Sequence, residues 1–319
     1  MRRTGGRILK RGDTARHRPL VAALAASALV AGSTAAQAQS IEPRAYSAAP
    51  TGFNFVIAGY TQTTGGLSFD TAVPITDPEL KVRTAVFAYA RTLDLWGRSG
   101  KVDVVVPVDS LRGHALFRGV PTERDVDGLG DPLVRLSVIL YGARAMTPAQ
   151  FRAFKQDVLV GVSLQVSPPL GQYDESRLIN LGSNRWTFKP EVGVSKAAGP
   201  WIVELKGSAT VFTDNNDFFG GGSRTQKPLY SAQANAIYNF RPGLWASLDG
   251  TYYTGGRSTV NGTLNNDLQR NWRLGATLAV PLTPQQSLKL YASRGVSART
   301  GNNYDLVGLA WQYRWASGS

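Results

Sequence analysis

A chain of 319 residues with no cysteine excludes disulfide stapling and thiolate chemistry, whether redox or metal-binding. Its 43% hydrophobic content, with 7 Trp, 12 Tyr and 12 Phe, excludes a disordered polar chain. The formal net charge of +13, from 35 Lys and Arg against 22 Asp and Glu, is large enough to need explaining by position.

Much of that charge sits at the start. Arg2, Arg3, Arg7, Lys10, Arg11, Arg16 and Arg18 precede the apolar run LVAALAASALVA and then AQA, which puts small residues at Ala36 and Ala38. Residues 1–38 therefore read as an export signal cut after Ala38. The run from Leu20 to Ala31 is too short to cross a bilayer as a helix, since a span needs about 20 apolar residues. Removing seven basic residues and Asp13 lowers the net charge from +13 to +7, which suits anionic surfaces or solutes, and an exported chain has little occasion to meet nucleic acid. Residues 39–52 are then expected as a short periplasmic segment.

From Phe53 to Trp315 the pattern has period two. Val158 to Val166, Trp201 to Val211, Tyr230 to Phe240, Trp272 to Val280 and Val307 to Trp315 alternate apolar residues with Ser, Gln, Asn, Lys, Glu or Arg. Weaker stretches at 53–63, 80–92, 101–109, 133–141, 186–196, 244–254 and 286–296 bring the expected number to about twelve, and a closed bacterial barrel takes an even number. No downstream stretch is apolar for a helical span, so the choice lies between a soluble sandwich and a membrane barrel.

The connections favour the barrel. Tight turns at Ala197–Pro200, Arg241–Gly243 and Leu282–Pro284 alternate with long polar, Gly-rich stretches, one of them Asp109 to Asp131. This is the rhythm of periplasmic turns and extracellular loops in an up-and-down meander with both termini periplasmic. Trp201, Phe240, Tyr313 and Trp315 then fall near the inner interface and Trp186, Tyr230, Tyr252 and Trp272 near the outer one, where amphipathic rings belong. The stretch 142–156 falls on the periplasmic side and exceeds a minimal turn; Thr147 and Pro148 there look like the start of one short helix. The expectation is an all-β transmembrane barrel over 53–315 with a C-terminal extension over 316–319.

With Ala197–Pro200 as the turn, Glu191 is expected opposite Lys206 and Lys189 opposite Ser208; across the next turn Asp249 faces Asn235 and Thr251 faces Gln233. Lys189, Glu191, Glu204, Lys206, Asn235, Asp249 and Arg273 are the expected lumen residues, acting on a solute through charge and hydrogen bonds. Interior ion pairs can equally well brace the wall.

Catalytic chemistry is sparse. His114 is the one histidine beyond the signal; Ser110 and Asp109 lie near it in sequence without a recognised motif. Glu123, Asp125, Asp127 and Asp131, and the run Asp214–Asp217, offer oxygen ligands without a calcium-loop spacing. No catalytic residue, metal or cofactor is assigned.

The stretches DGLGDPLVRLSVIL (127–140), SPPLGQYDESRLINLGSNRWTFKPEVGVS (167–195), PLTPQQSLKLYASRG (281–295) and NNYDLVGLAWQYRW (302–315) resemble the family of outer-membrane barrel proteins named for the meta-cleavage, or MetA, pathway of phenol degradation. The resemblance covers nearly all of the exported chain and implies a channel or uptake protein for small, often aromatic or hydrophobic, molecules in Gram-negative bacteria. Within its most distinctive part, Tyr173, Asn180, Asn184 and Arg185 are expected to fold a long outer loop over the mouth and narrow it. The chain departs from barrels that finish on an aromatic residue, because ASGS follows Trp315. The expected function is uptake of small organic solutes through a monomeric barrel among outer-membrane lipid and lipopolysaccharide, inserted by the barrel assembly machinery. The rivals are a structural or partner-binding barrel with a closed lumen, a lipid-modifying enzyme using His114, and a transporter with a side exit near Pro107 or Pro190.

Overall fold

The alternating stretches close into a ring of twelve antiparallel strands in the computed structural model, which describes residues 42–66, 75–117, 120–299 and 303–317. The export signal expected over 1–38 lies outside the described residues, as do residues 318–319 of the expected extension. In chain order the strands are β1 (Phe53–Gly66), β2 (Ile75–Leu95), β3 (Arg98–Phe117), β4 (Val120–Leu129), β5 (Leu133–Tyr141), β6 (Val158–Ser167), β7 (Thr187–Ala198), β8 (Trp201–Phe212), β9 (Asn215–Phe218), β10 (Gly222–Gln226), β11 (Leu229–Arg241), β12 (Leu244–Gly255), β13 (Ser258–Val260), β14 (Thr263–Leu264), β15 (Gln269–Pro281), β16 (Gln286–Ala298) and β17 (Asn303–Ala316). All but β4, β9, β10, β13 and β14 form the wall, and β1 closes it by pairing with both β2 and β17. A sheet in hydrocarbon has no other way to satisfy its edge N–H and C=O groups.

Each strand face meets a different solvent. On β8 Leu205 is 60% exposed on the outside, while its neighbour Glu204 is fully buried within. Outward rings gather in two bands: at the short-turn end Trp201, Tyr238 and Phe240 pack edge to face, and on β17 Trp311, Tyr313 and Trp315 stack. Tyr252 and Trp272, and Trp186 and Phe188, mark the other band. The chain is thus a transmembrane barrel whose first and last wall strands, paired at Phe53 and Ala316, both meet the short-turn end.

Short turns occupy that side. Gly199 has the positive φ of 59° that a two-residue hairpin opening on glycine requires, and Ala198 pairs directly with Trp201. The register is therefore two residues tighter than expected: Glu191 faces Ser208, Gly193 faces Lys206 and Ser195 faces Glu204. A slip of two keeps every side chain on its own face. The β11–β12 hairpin has the expected register, with Asp249 opposite Asn235 and Thr251 opposite Gln233.

The long connection after β5 carries helix α1 (Pro148–Ala153), with Thr147 and Gln150 in a reciprocal capping box and Pro148 in the first turn. At the opposite end, the loop expected over Asp109 to Asp131 is a hairpin instead. β3 leaves β5 at Val105 and from Val108 onward pairs with β4, so the wall rises beyond the membrane. Its period escaped notice because both faces there carry polar groups; Arg112 bridges Asp125 at 2.6 Å and Asp127 at 2.8 Å. β14, β13, β10 and β9 form a small second sheet from two of the other outer loops.

Candidate functional site

The lumen wall carries an apolar patch and a larger polar surface. Phe55 and Ile57 of β1, Val86 and Ala88 of β2, Val105 of β3 and Leu133 of β5 turn inward as one apolar cluster. Facing inward from β7, β8, β11, β12 and β15 are Lys189, Glu191, Glu204, Lys206, Asn235, Asp249 and Arg273, all the expected lumen residues. Six of these lie on the four adjacent strands β7, β8, β11 and β12. Glu191 lies 3.9 Å from Lys189 and 4.0 Å from Lys206, Asn235 donates to Glu204 at 3.3 Å, and Asp249 accepts from Ser247 at 3.0 Å. Arg273 stands apart, nearer the outer end, where it lies 3.7 Å over the Tyr304 ring and donates to Ser293 and the Tyr304 carbonyl.

Between the patch and the polar surface runs a segment that is not part of the wall. Residues 42–50, expected as periplasmic, enter the lumen from the short-turn end. Glu42 Oε2 accepts from Arg135 Nη1 at 2.6 Å, and its carbonyl accepts from Lys206 Nζ at 2.7 Å. The Arg44 backbone N–H donates to Glu204 Oε2 at 2.6 Å, its guanidinium bonds Asn239, and it lies 4.8 Å over the Trp245 ring. Tyr46 and Ala48 are buried against Ile139, Ala143 and Leu159, with Met146, Phe151 and Phe154 packed behind them. The last three come from the long periplasmic connection, whose helix thus forms part of the segment's seat. Thr92 closes the base by donating to the Pro50 carbonyl at 2.6 Å.

Burial alone would raise the Glu42 carboxyl, but Arg135 and Lys206 overcome it and hold the group down at about 2. Arg135 also pairs with Asp103 at 2.9 Å, its direct cross-strand neighbour, and Lys101 lies 3.3 Å from Asp103. Sequence reasoning missed Asp103, Arg135 and the whole 42–50 segment. The first two had a signal, since both alternate inward in KVDVVV and LVRLSV; the segment IEPRAYSAAP has no period at all.

The outer mouth is narrowed by the chain between β6 and β7. Tyr173, Asn180, Asn184 and Arg185 bond within this loop and to the neighbouring outer loop. Asn180 braces the loop internally through Asp174 and Arg177, and Tyr173 and Asn184 both bond Asn215. Arg185 bonds Gln226 and stacks 4.3 Å over Phe212. The loop residue that turns inward at the mouth is Leu181, fully buried among Leu80, Val82, Leu111, Val126 and Tyr304. Asp131 fastens both ends of this loop, accepting from the Gly171 N–H at 2.8 Å and from the Ser183 N–H and hydroxyl at 2.8 and 2.7 Å. Asp131→Ala leaves those amides without an acceptor and is expected to loosen the loop by about 1–3 kcal/mol, read as faster hydrogen exchange at Gly171 and Ser183.

His114 faces outward on β3 beside Glu79 at 3.7 Å. Ser110 shares that face but Asp109 points into the barrel, so the three cannot form a relay. Asp131 likewise faces inward while Glu123, Asp125 and Asp127 face out, which splits the proposed oxygen cluster. Among the described residues no group of three His, Asp or Glu side chains is placed to share a metal ion.

Residues 53–313 match the family described as "Putative MetA-pathway of phenol degradation". The chain belongs to this family. Among solved structures, an outer-membrane channel from Pseudomonas putida F1 is 21% identical and superposes with a TM-score of 0.74, covering 86% of this chain and 100% of that one. KdgM porin (10% identity, TM-score 0.42, covering 81% and 98%) and the translocator domain of the autotransporter NalP from Neisseria meningitidis (10%, 0.46, covering 84% and 90%) lie much further off. No curated protein matches. The shared fold is that of an outer-membrane β-barrel.

Proposed function

We propose that the protein takes up small organic solutes, aromatic and hydrophobic ones included, through the barrel lumen. The observation that carries this reading is the mixed wall: an apolar patch from Phe55 to Leu133 shares the lumen with a larger hydrogen-bonding surface built around Lys206 and Asn235. A ring with one polar substituent can satisfy both at once, whereas a sugar leaves the apolar patch dry and unpaired. Solute passage requires residues 42–50 to leave the lumen, and their hold is non-covalent. The channel function of the Pseudomonas barrel supports the same reading, through its shared fold.

The barrel is read as a monomer in outer-membrane lipid, with lipopolysaccharide around its outer rim, where Lys81, Arg83 and Arg112 face outward. Proteoliposome uptake with a panel of matched size tests the function. Small hydroxylated aromatics are expected to enter faster than sugars or amino acids of equal mass. Equal rates across the panel contradict the selectivity, and no entry of any solute, with or without residues 42–50, favours a closed structural barrel.

A further inference from the structure

The seat of Tyr46 is built from the wall in an unusual way. On the lumen face of β6, Leu159, Gly161 and Ser163 follow one another, and on β7 Ser195, Gly193 and Glu191 stand directly opposite them. Two glycines therefore face each other across one ladder position, and the Tyr46 ring fills the gap they leave. A Cβ added at either glycine would overlap that ring, and at Gly161 the three nearest atoms are all atoms of Tyr46. Leu159 packs at the apolar end of the ring. The phenol hydroxyl lies 3.3 Å from Ser163 Oγ and 3.3 Å from the Glu191 carbonyl, which accepts from it.

A strand pair gains nothing in its own stability from two facing glycines, because both residues lose backbone entropy and neither side chain packs. The slot has the thickness and polarity of one hydroxylated ring. We propose that the Gly161–Gly193 slot is a binding site for phenols, single aromatic rings bearing a hydroxyl, and that Tyr46 occupies it as a tethered mimic of the solute. The ring of an incoming phenol lies between the glycines, its hydroxyl donates to the Glu191 carbonyl and accepts from Ser163, and Tyr46 must leave first. This rests on the channel reading and names the solute class that the lumen prefers.

The test is a ligand-observed fluorine NMR titration of the exported chain in detergent micelles, with 4-fluorophenol as the probe and fluorobenzene as the control. A tethered ring competes at an effective concentration in the millimolar range, so Tyr46→Ala is expected to tighten 4-fluorophenol binding about tenfold or more. Adding Gly161→Ala should erase that gain. Adding Ser163→Ala instead should weaken 4-fluorophenol roughly 5-fold and leave fluorobenzene unchanged, a split that a merely loosened barrel does not give. No gain from Tyr46→Ala, or a gain that survives Gly161→Ala, overturns the slot. Solute entry into liposomes measured on the same proteins separates the two ideas: entry without phenol binding overturns the slot alone, and phenol binding without entry overturns the channel reading while the slot stands.

Discussion

Leu205→Arg is expected to destabilise the folded barrel in lipid by about 2–4 kcal/mol. Leu205 lies on the outer face of β8 midway between Trp201, in the inner aromatic band, and Ala209, which pairs with Tyr230 of the outer band. A guanidinium there sits near the middle of the acyl region and can reach neither headgroup layer without distorting the wall. The same change at Tyr230, at the interface, is expected to cost only about 0–1 kcal/mol. Denaturant titrations of the two variants refolded into lipid vesicles measure the difference. Equal costs at the two depths contradict a wall that spans the bilayer.

Glu42→Arg is expected to drive the N-terminal segment out of the lumen. The substitution removes the partner of Arg135 and sets a second cation against Arg135 and Lys206, in a place where the Glu42 and Arg135 side chains are only 8% and 6% exposed. Removing one partner of a buried pair costs about 3–5 kcal/mol, and the added repulsion acts in the same direction. Protease cleavage between residues 42 and 50, slow in the parent chain, should become fast. Glu42→Gln should give a smaller change, since the amide oxygen still accepts from Arg135.

The pH dependence of that docking has a definite sign. The Glu42 carboxyl is depressed to about 2 in place from an ordinary 4.5, so its contribution is fully present above pH 4.5 and is lost as pH falls toward 2. Protection of the segment is therefore expected to be flat between pH 5 and 8. A release midpoint inside that range contradicts the pairing with Arg135.

How far the sequence carried these conclusions follows from which interactions leave a period. Twelve wall strands were legible because lipid imposes an apolar residue at every second position, as from Trp201 to Val211, whatever the neighbouring strand contributes. The Lys206 and Glu191 side chains were legible as inward for the same reason. Their strand register was not, because the turn at Gly199 and Pro200 is two residues shorter than Ala197–Pro200 implied, and a slip of two leaves the facing pattern unchanged. The upper β3–β4 hairpin was hidden because its inner face mixes the apolar Leu111 and Val126 with the buried Asp109, which leaves no clean apolar period.

The heart of the candidate site was the least legible part. Glu42, Arg44 and Tyr46 stand in a stretch broken by Pro43 and Pro50, and their side-chain hydrogen-bond partners lie from 93 to 195 residues away along the chain. Their meaning comes only from the surfaces that receive them. Gly161 and Gly193 illustrate the point: each reads alone as a weak spot in a strand, and only their direct opposition, with a ring between, makes a site. Leu181 is similar, an apolar residue inside a polar loop that turns inward because Asp131 holds the loop at both ends.

Single-molecule conductance in planar lipid bilayers tests most directly whether this barrel is a channel closed by its own N-terminal segment. The exported chain should insert and pass little current, and a variant lacking residues 42–50 should give steady open steps of uniform size. Equal currents from the two would contradict closure by the segment, and silence from both would contradict the channel.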